Sequence, residues 1–389
     1  MEGAAMFRML LIKNASILDL QTGDCTVSDV LIEDGIIQKI RPNIKTFVND
    51  TIDAKGLIMT PGLCDAHAHI FHNTAQGFIG VDPYRYHLPA GTTCVIDQGS
   101  AGADTYELFR QHVMMRTDIM CKEVLNCSRI GMYVSSLAGG GELEDIENLN
   151  QAAFCSTYTQ FPDEISGVKI RLTPNVCPQN PEKALRLAMQ IAEAVGLPLV
   201  VHPNEARMED SLLFDTLRSG DVYAHAYHRS SAGILDAAGY VKPAAQKARD
   251  RGVIFDTAHG LNSMVFPVLE AALKQGFEPD IISTDLHNKN CNGPVYDLPT
   301  TLSKFLCLGM PLHVVFNKAI LAPAKIWNLT DKCTRICAGQ IADLACFELN
   351  CSRHEFFDAQ GNCLEGNKRL IPRFTILKNH LYLPLFLNT

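Results

Sequence analysis

Leu57-Ile58-Met59-Thr60-Pro61-Gly62-Leu63-Cys64 runs straight into Asp65-Ala66-His67-Ala68-His69. A short apolar run bounded by turn residues reads as a strand buried on both faces, as in a parallel sheet. Polar residues able to do chemistry stand just past its C-terminal end. The same grammar recurs down the chain. Strands are expected at Thr92 to Asp97, Arg129 to Val134, Gly167 to Leu172, Leu197 to Val201, Asp221 to Ala224, Val253 to Asp256 and Asp280 to Ser283, eight with the first. Helical intervals separate them, most clearly Glu182 to Val195. The expected fold is therefore α/β, a (β/α)8 TIM barrel, although an open doubly wound sheet has the same alternation.

The flanks read differently. Met9 to Lys13, Val30 to Glu33, Gly339 to Phe347 and Arg373 to Leu377 are β-rich, and Asp34-Gly35 is a hairpin signal. Both ends are expected to share a small β-sandwich domain, residues 1–60 with 325–389, around a barrel of residues 61–324. The apolar run Leu381 to Leu387 is expected to be a strand or a buried tail.

Bulk properties exclude several roles. The 389 residues carry 34 Lys+Arg against 42 Asp+Glu, net −8, which argues against nucleic-acid binding. No apolar stretch is long enough for a membrane span, and Met1 to Arg8 lacks the pattern of an export signal. Fourteen scattered cysteines without a Cys-x-x-Cys pair imply reduced thiols and a cytoplasmic setting. Cys64, beside the first histidines, is read as a small buried hydrophobe. The expected partner is a small molecule; a homo-oligomer is compatible with the sequence.

The chemistry gathers at strand ends, where a barrel builds its active site. His67 and His69 are two apart, so on extended chain they face one way and can share a metal. Lys169 lies inside the apolar run Gly167-Val168-Lys169-Ile170-Arg171. A buried ammonium needs a carboxylate partner or neutralisation. It has no lone pair for a metal, but its carbon dioxide adduct, a carbamate, has two oxygens. His202 ends the fifth strand. His225 ends the sixth, with His228 as its competitor. Asp285 follows the eighth, as a ligand, a base or a helix cap. His259 ends the seventh and is a substrate-contact candidate. Arg171 shares the face of Lys169, as a clamp for a substrate carboxylate or as a structural ion pair. Asn292 and Tyr296, in the loop after strand eight, are further pocket candidates.

This order of residues resembles the amidohydrolase superfamily, in its binuclear form with a carboxylated lysine. Lys13 to Asp19, Ile52 to Leu63 and Ala338 to Leu344 look like the β-domain segments of that family. Asp97 to Gly102, Thr284-Asp285-Leu286-His287 and Tyr296 to Phe305 are similar to its deacetylase branch, often labelled dihydroorotase or adenine deaminase. The resemblance implies His67, His69 and Asp285 around one divalent ion and His202 and His225 around a second. Both would be Zn2+, bridged by carboxylated Lys169 and a hydroxide. It implies Asp285 as the catalytic acid/base in cleaving an acetyl amide or ester of a small 2-substituted acid. A cyclic amidase of dihydroorotase or hydantoinase type would share the metal set. A deaminase with one metal and a barrel scaffold without metal are more distant alternatives.

Overall fold

The computed structural model describes residues 4–73, 79–132 and 141–384. Its central sheet is a curled run of parallel strands in chain order: β1 (Leu63–Ala68), β2 (Thr92–Asp97), β3 (Met120–Asn126), β4 (Ile165–Arg171), β5 (Leu199–His202), β6 (Val222–Tyr223) and β7 (Ile254–Phe255). The segment 280–286 fills the eighth position with single parallel bridges, Ile281 to Asp256 on one side and Leu286 to Ala68 on the other. Asp285 N–H donates to the His67 carbonyl at 2.6 Å and His69 N–H to the Leu286 carbonyl at 2.9 Å, which closes the ring. The fold is a (β/α)8 barrel with a small β-sandwich, not an open sheet. The inward side chains Cys64, Ala66, Cys94, Ile96, Val124, Val200 and Val222 pack with Trp327 in one buried cluster. Cys64 is fully buried, as expected of an apolar filler, with its Sγ 3.3 Å from that of Cys94.

The third strand is a correction. It lies at Met120–Asn126, before the expected Arg129 to Val134, whose last two residues fall outside the described ones. Lys122 and Glu123 break the apolar run in sequence, yet Glu123 is fully buried beside Asp97 on β2. Gly131, at φ 71°, takes a left-handed turn where an uninterrupted strand was expected. The helix Pro181–Val195 matches its sequence signals. Asn180 Oδ1 accepts from Lys183 N–H, Pro181 opens it, and Gly196 ends it in the left-handed region.

The chain ends interleave in a second sheet. Asp343–Asn350 lies antiparallel to both Ile58–Pro61 and Arg369–Leu377, and Met9–Leu18 pairs with Cys25–Glu33. Phe7, Leu10, Ile12, Val30, Leu344 and Phe374 pack a separate core beneath it. Asp34 and Gly35 turn at φ 49° and 76° between Cys25–Glu33 and Ile36–Arg41, as the hairpin signal implied. The expected strand Gly339 to Phe347 begins instead at Asp343. His380–Tyr382 forms a strand at the start of the apolar run, whose residues 385–387 lie outside those described. Among the described residues no helix is long and apolar enough to cross a membrane.

Candidate metal centre

The strand ends converge on one cavity of about 800 Å3 at the mouth of the barrel. His67, His69 and Asp285 bring one ligand atom each within 4.8 Å of one another. Asp285 Oδ1 stands 3.0 Å from His69 Nε2 and 3.9 Å from His67 Nε2. His225 continues the cluster, its ring centre 4.9 Å from that of His67 and 4.1 Å from that of His202. Lys169, 1% exposed, reaches His67 Nε2 with its Nζ at 3.2 Å. The two-residue alternation of β4 puts Lys169 and Arg171 on the cavity side together. Two glycines make room. A Cβ on Gly99 would stand 2.6 Å from Lys169 Cγ, and one on Gly260 would stand 2.6 Å from Asp285 Oδ2.

Three of the imidazoles are aimed by their second nitrogen. His67 Nδ1 meets Asp256 Oδ2 at 3.0 Å, His69 Nδ1 meets Ser100 Oγ at 2.8 Å, and His225 Nδ1 donates to the Ala258 carbonyl at 2.8 Å. His225 is thereby left with a lone pair on Nε2, and that buried atom has no hydrogen-bond partner. Buried polar atoms rarely stay unpaired, and this one borders histidines and an acid. It fits a metal ligand held by its outer hydrogen bond. Asp256 is gripped by the Ser283 hydroxyl, Asp97 accepts Ile70 and Ser100 N–H, and Asp65 holds Thr284. None of these groups was assigned an aiming role from sequence, although Asp65, Asp97 and Ser100 lie in stretches quoted there. His67 and Asp256 are 189 positions apart, and only the barrel brings them together.

Burial governs the ionisation. It lowers His225 to about 4, against the pull of Asp285, and drives His67 well below its usual value. Burial raises Asp256 to about 7, partly offset by the Ser283 hydrogen bond. It opposes ionisation of Asp285 too, but the His69 hydrogen bond and the His225 and His69 charges hold that carboxyl low. Burial lowers Lys169 to about 8 against the charges of Asp285 and Asp256.

Other sequence candidates fare differently. His202 and Arg171 line the cavity, but Arg171 is already engaged: Nε donates to Glu142 Oε2 at 2.8 Å, and Nη2 contacts the same oxygen. His228 lines the cavity with both ring nitrogens taken, by Ser230 Oγ at 2.8 Å and by the Tyr223 hydroxyl at 3.3 Å. His259 is not brought to the cavity. It is fully buried, with Nε2 2.6 Å from Lys304 Nζ and Nδ1 on the Gly260 carbonyl. Asn292 and Tyr296 are not brought there either. They line a separate cavity of about 300 Å3, with Tyr296 45% exposed. Position after strand eight was their only signal, and the loop carries them outward.

A barrel that gathers histidines, a lysine and an aspartate at its mouth defines the class: a metal-dependent hydrolase. The amidohydrolase family matches residues 58–375, and the chain belongs to that family. It is 30% identical to a deacetylase of Enterococcus faecalis over 96% of this chain and 98% of that one. It is 29% identical to a deacetylase of Brucella anthropi over 92% and 88%. Among solved structures, one described as a dihydroorotase superposes with a TM-score of 0.86 at 27% identity, covering 98% of this chain and all of that one. One described as an adenine deaminase gives 0.85 at 29%, over 96% and 99%.

Proposed function

We propose that the chain is a binuclear hydrolase that removes an acyl group, acetyl first of all, from the amide or ester of a small carboxylate-bearing molecule. The observation that carries this reading is the surroundings of Lys169. Among the described residues its hydrogen-bond partner is an imidazole nitrogen, with no ion pair. An amine so placed is costly as a cation. Addition of the neutral amine to carbon dioxide forms one N–C bond and releases one proton. The product is a carbamate, an anion with two oxygens beside the cluster.

His67, His69 and Asp285 would hold one ion, His202 and His225 the other, and the carbamate of Lys169 both. Imidazole and carboxylate donors suit Zn2+. Bound there, the ions would supply Lewis acidity, making a water more acidic and polarising the acyl carbonyl. The remaining work belongs to the chain. Asp285, held ionised, takes the proton of the attacking water on its carboxylate and returns it to the departing nitrogen or oxygen. Asp256 and Ser100 keep the His67 and His69 rings in place while the charge moves.

The deacetylase relatives favour an acyclic acyl substrate; the dihydroorotase-like structure favours a cyclic ureide. A panel separates them: N-acetyl amino acids and acetyl esters of 2-hydroxy acids, against dihydroorotate and hydantoins. Turnover of the acetyl compounds is expected. Turnover confined to the cyclic compounds would replace this reading with the cyclic amidase.

A further inference from the structure

Two imidazoles of the cluster present an acceptor; His228 and His287 are mounted the other way round, and the Nε2 of His228 is already met by the Tyr223 hydroxyl. His67 and His225 turn Nδ1 toward protein oxygens that can take a proton, which leaves Nε2 with a lone pair. His287 also lines the cavity, its ring centre 6.3 Å from that of His69. Here the Lys289 backbone N–H donates to Nδ1 at 3.2 Å. A ring nitrogen that accepts carries no proton, so the neutral ring keeps its hydrogen on Nε2. It offers the cavity a donor.

The turn that carries it is locked to the acid/base group. The side chain of Asn290, fully buried, accepts His287 N–H on Oδ1 at 2.8 Å. Its Nδ2 donates to the Asp285 carbonyl at 2.8 Å. His287 and Asp285 therefore hold a fixed relation. Arg171, the other candidate for an anionic substrate group, already has Glu142 on Nε and Nη2.

We infer that His287 is a specificity-determining residue whose Nε2–H donates to a carboxylate oxygen of the leaving half of the substrate. The inference rests on the hydrolase reading above. In that reading Asp285 hands its proton to the leaving atom, so a donor fixed beside Asp285 faces that half of the substrate. Lys289 lines the same cavity and adds positive charge. The ring is a substrate donor, not a metal ligand.

N-acetylalanine, as each enantiomer, and N-ethylacetamide differ by one carboxylate and so test this directly. In His287→Ala the ratio of their kcat/KM values is expected to fall about 10- to 100-fold, the worth of one hydrogen bond to a charged group. The change should lie mainly in KM, with metal content per chain unaltered and much of the ratio restored in His287→Gln. An unchanged ratio, or equal loss on both substrates, would overturn the inference. A second readout needs no turnover. Histidine-selective 15N spectra of the full chain, assigned by His287→Gln, should show His287 as the Nε2–H tautomer. The Nδ1–H tautomer would contradict the inference. A wild-type chain inactive on every acyl substrate, yet showing the Nε2–H signature, would instead sink the hydrolase reading and leave the donor assignment standing.

Discussion

Two buried lysines, at opposite ends of the barrel, face opposite surroundings. Lys332, 5% exposed, lies at the floor, where its Nζ meets Asp343 Oδ2 and stands 3.1 Å from Thr93 Oγ1. Burial works against its charge, but Asp343 outweighs burial and its pKa is raised. Lys169 at the mouth is equally deep, has His67 Nε2 as its hydrogen-bond partner, and is lowered to about 8. The floor is electrically complete and joins the barrel to the strand Asp343–Asn350. The mouth has been left with charge and lone pairs to spare. A fold can tolerate such a deficit where something else arrives to fill it.

The comparison can be broken by experiment. The largest effect is expected at the mouth: Asp285→Asn should lower kcat about 100- to 10,000-fold, the range for loss of an acid/base group, with the fold intact by circular dichroism. A smaller loss would remove Asp285 from the proton path. The lysines themselves should then separate by stability in metal-free protein. Lys332→Met strands the buried Asp343 and should cost about 3–5 kcal/mol in denaturant unfolding. Lys169→Met removes a buried amine that, among the described residues, has no carboxylate in ion-pair contact, and should leave stability level or raise it. Equal losses at both positions would erase the distinction. A subtler effect is expected one layer out. Asp256→Asn keeps the shape beside His67 Nδ1 but removes the negative charge, and should weaken metal affinity about 10- to 100-fold, read by competition with a chelator. Unchanged affinity would make Asp256 a packing residue.

The two regions were not equally legible in the sequence. The histidines of the mouth could be read because each ends an apolar run, and the barrel turns the end of a run into a place on the rim. Strand β3 could not, because Lys122 and Glu123 hide a run whose burial depends on lateral packing against Asp97. The groups that aim the histidines were hidden for a related reason. Asp256 and Asn290 act through contacts that close only with the barrel, and no local pattern marks them; Ser100 lies in the family-like stretch Asp97 to Gly102, but nothing in that stretch points to His69. Arg171 was legible as a cation on the inner face, but Glu142 comes from a polar stretch with no strand or helix signal of its own. His259 was placed at the correct strand end, and the buried Lys304 that occupies it lies 45 positions away on another element.

The most direct measurement is of what Lys169 becomes. Protein folded with 13C-bicarbonate and zinc would be assayed for metal per chain and for a carbamate carbon by 13C NMR, beside Lys169→Gln. Two ions per chain and one carbamate signal, both reduced in the variant, are the result expected. A single ion, or none, with an unmodified amine on Lys169, would contradict the central claim.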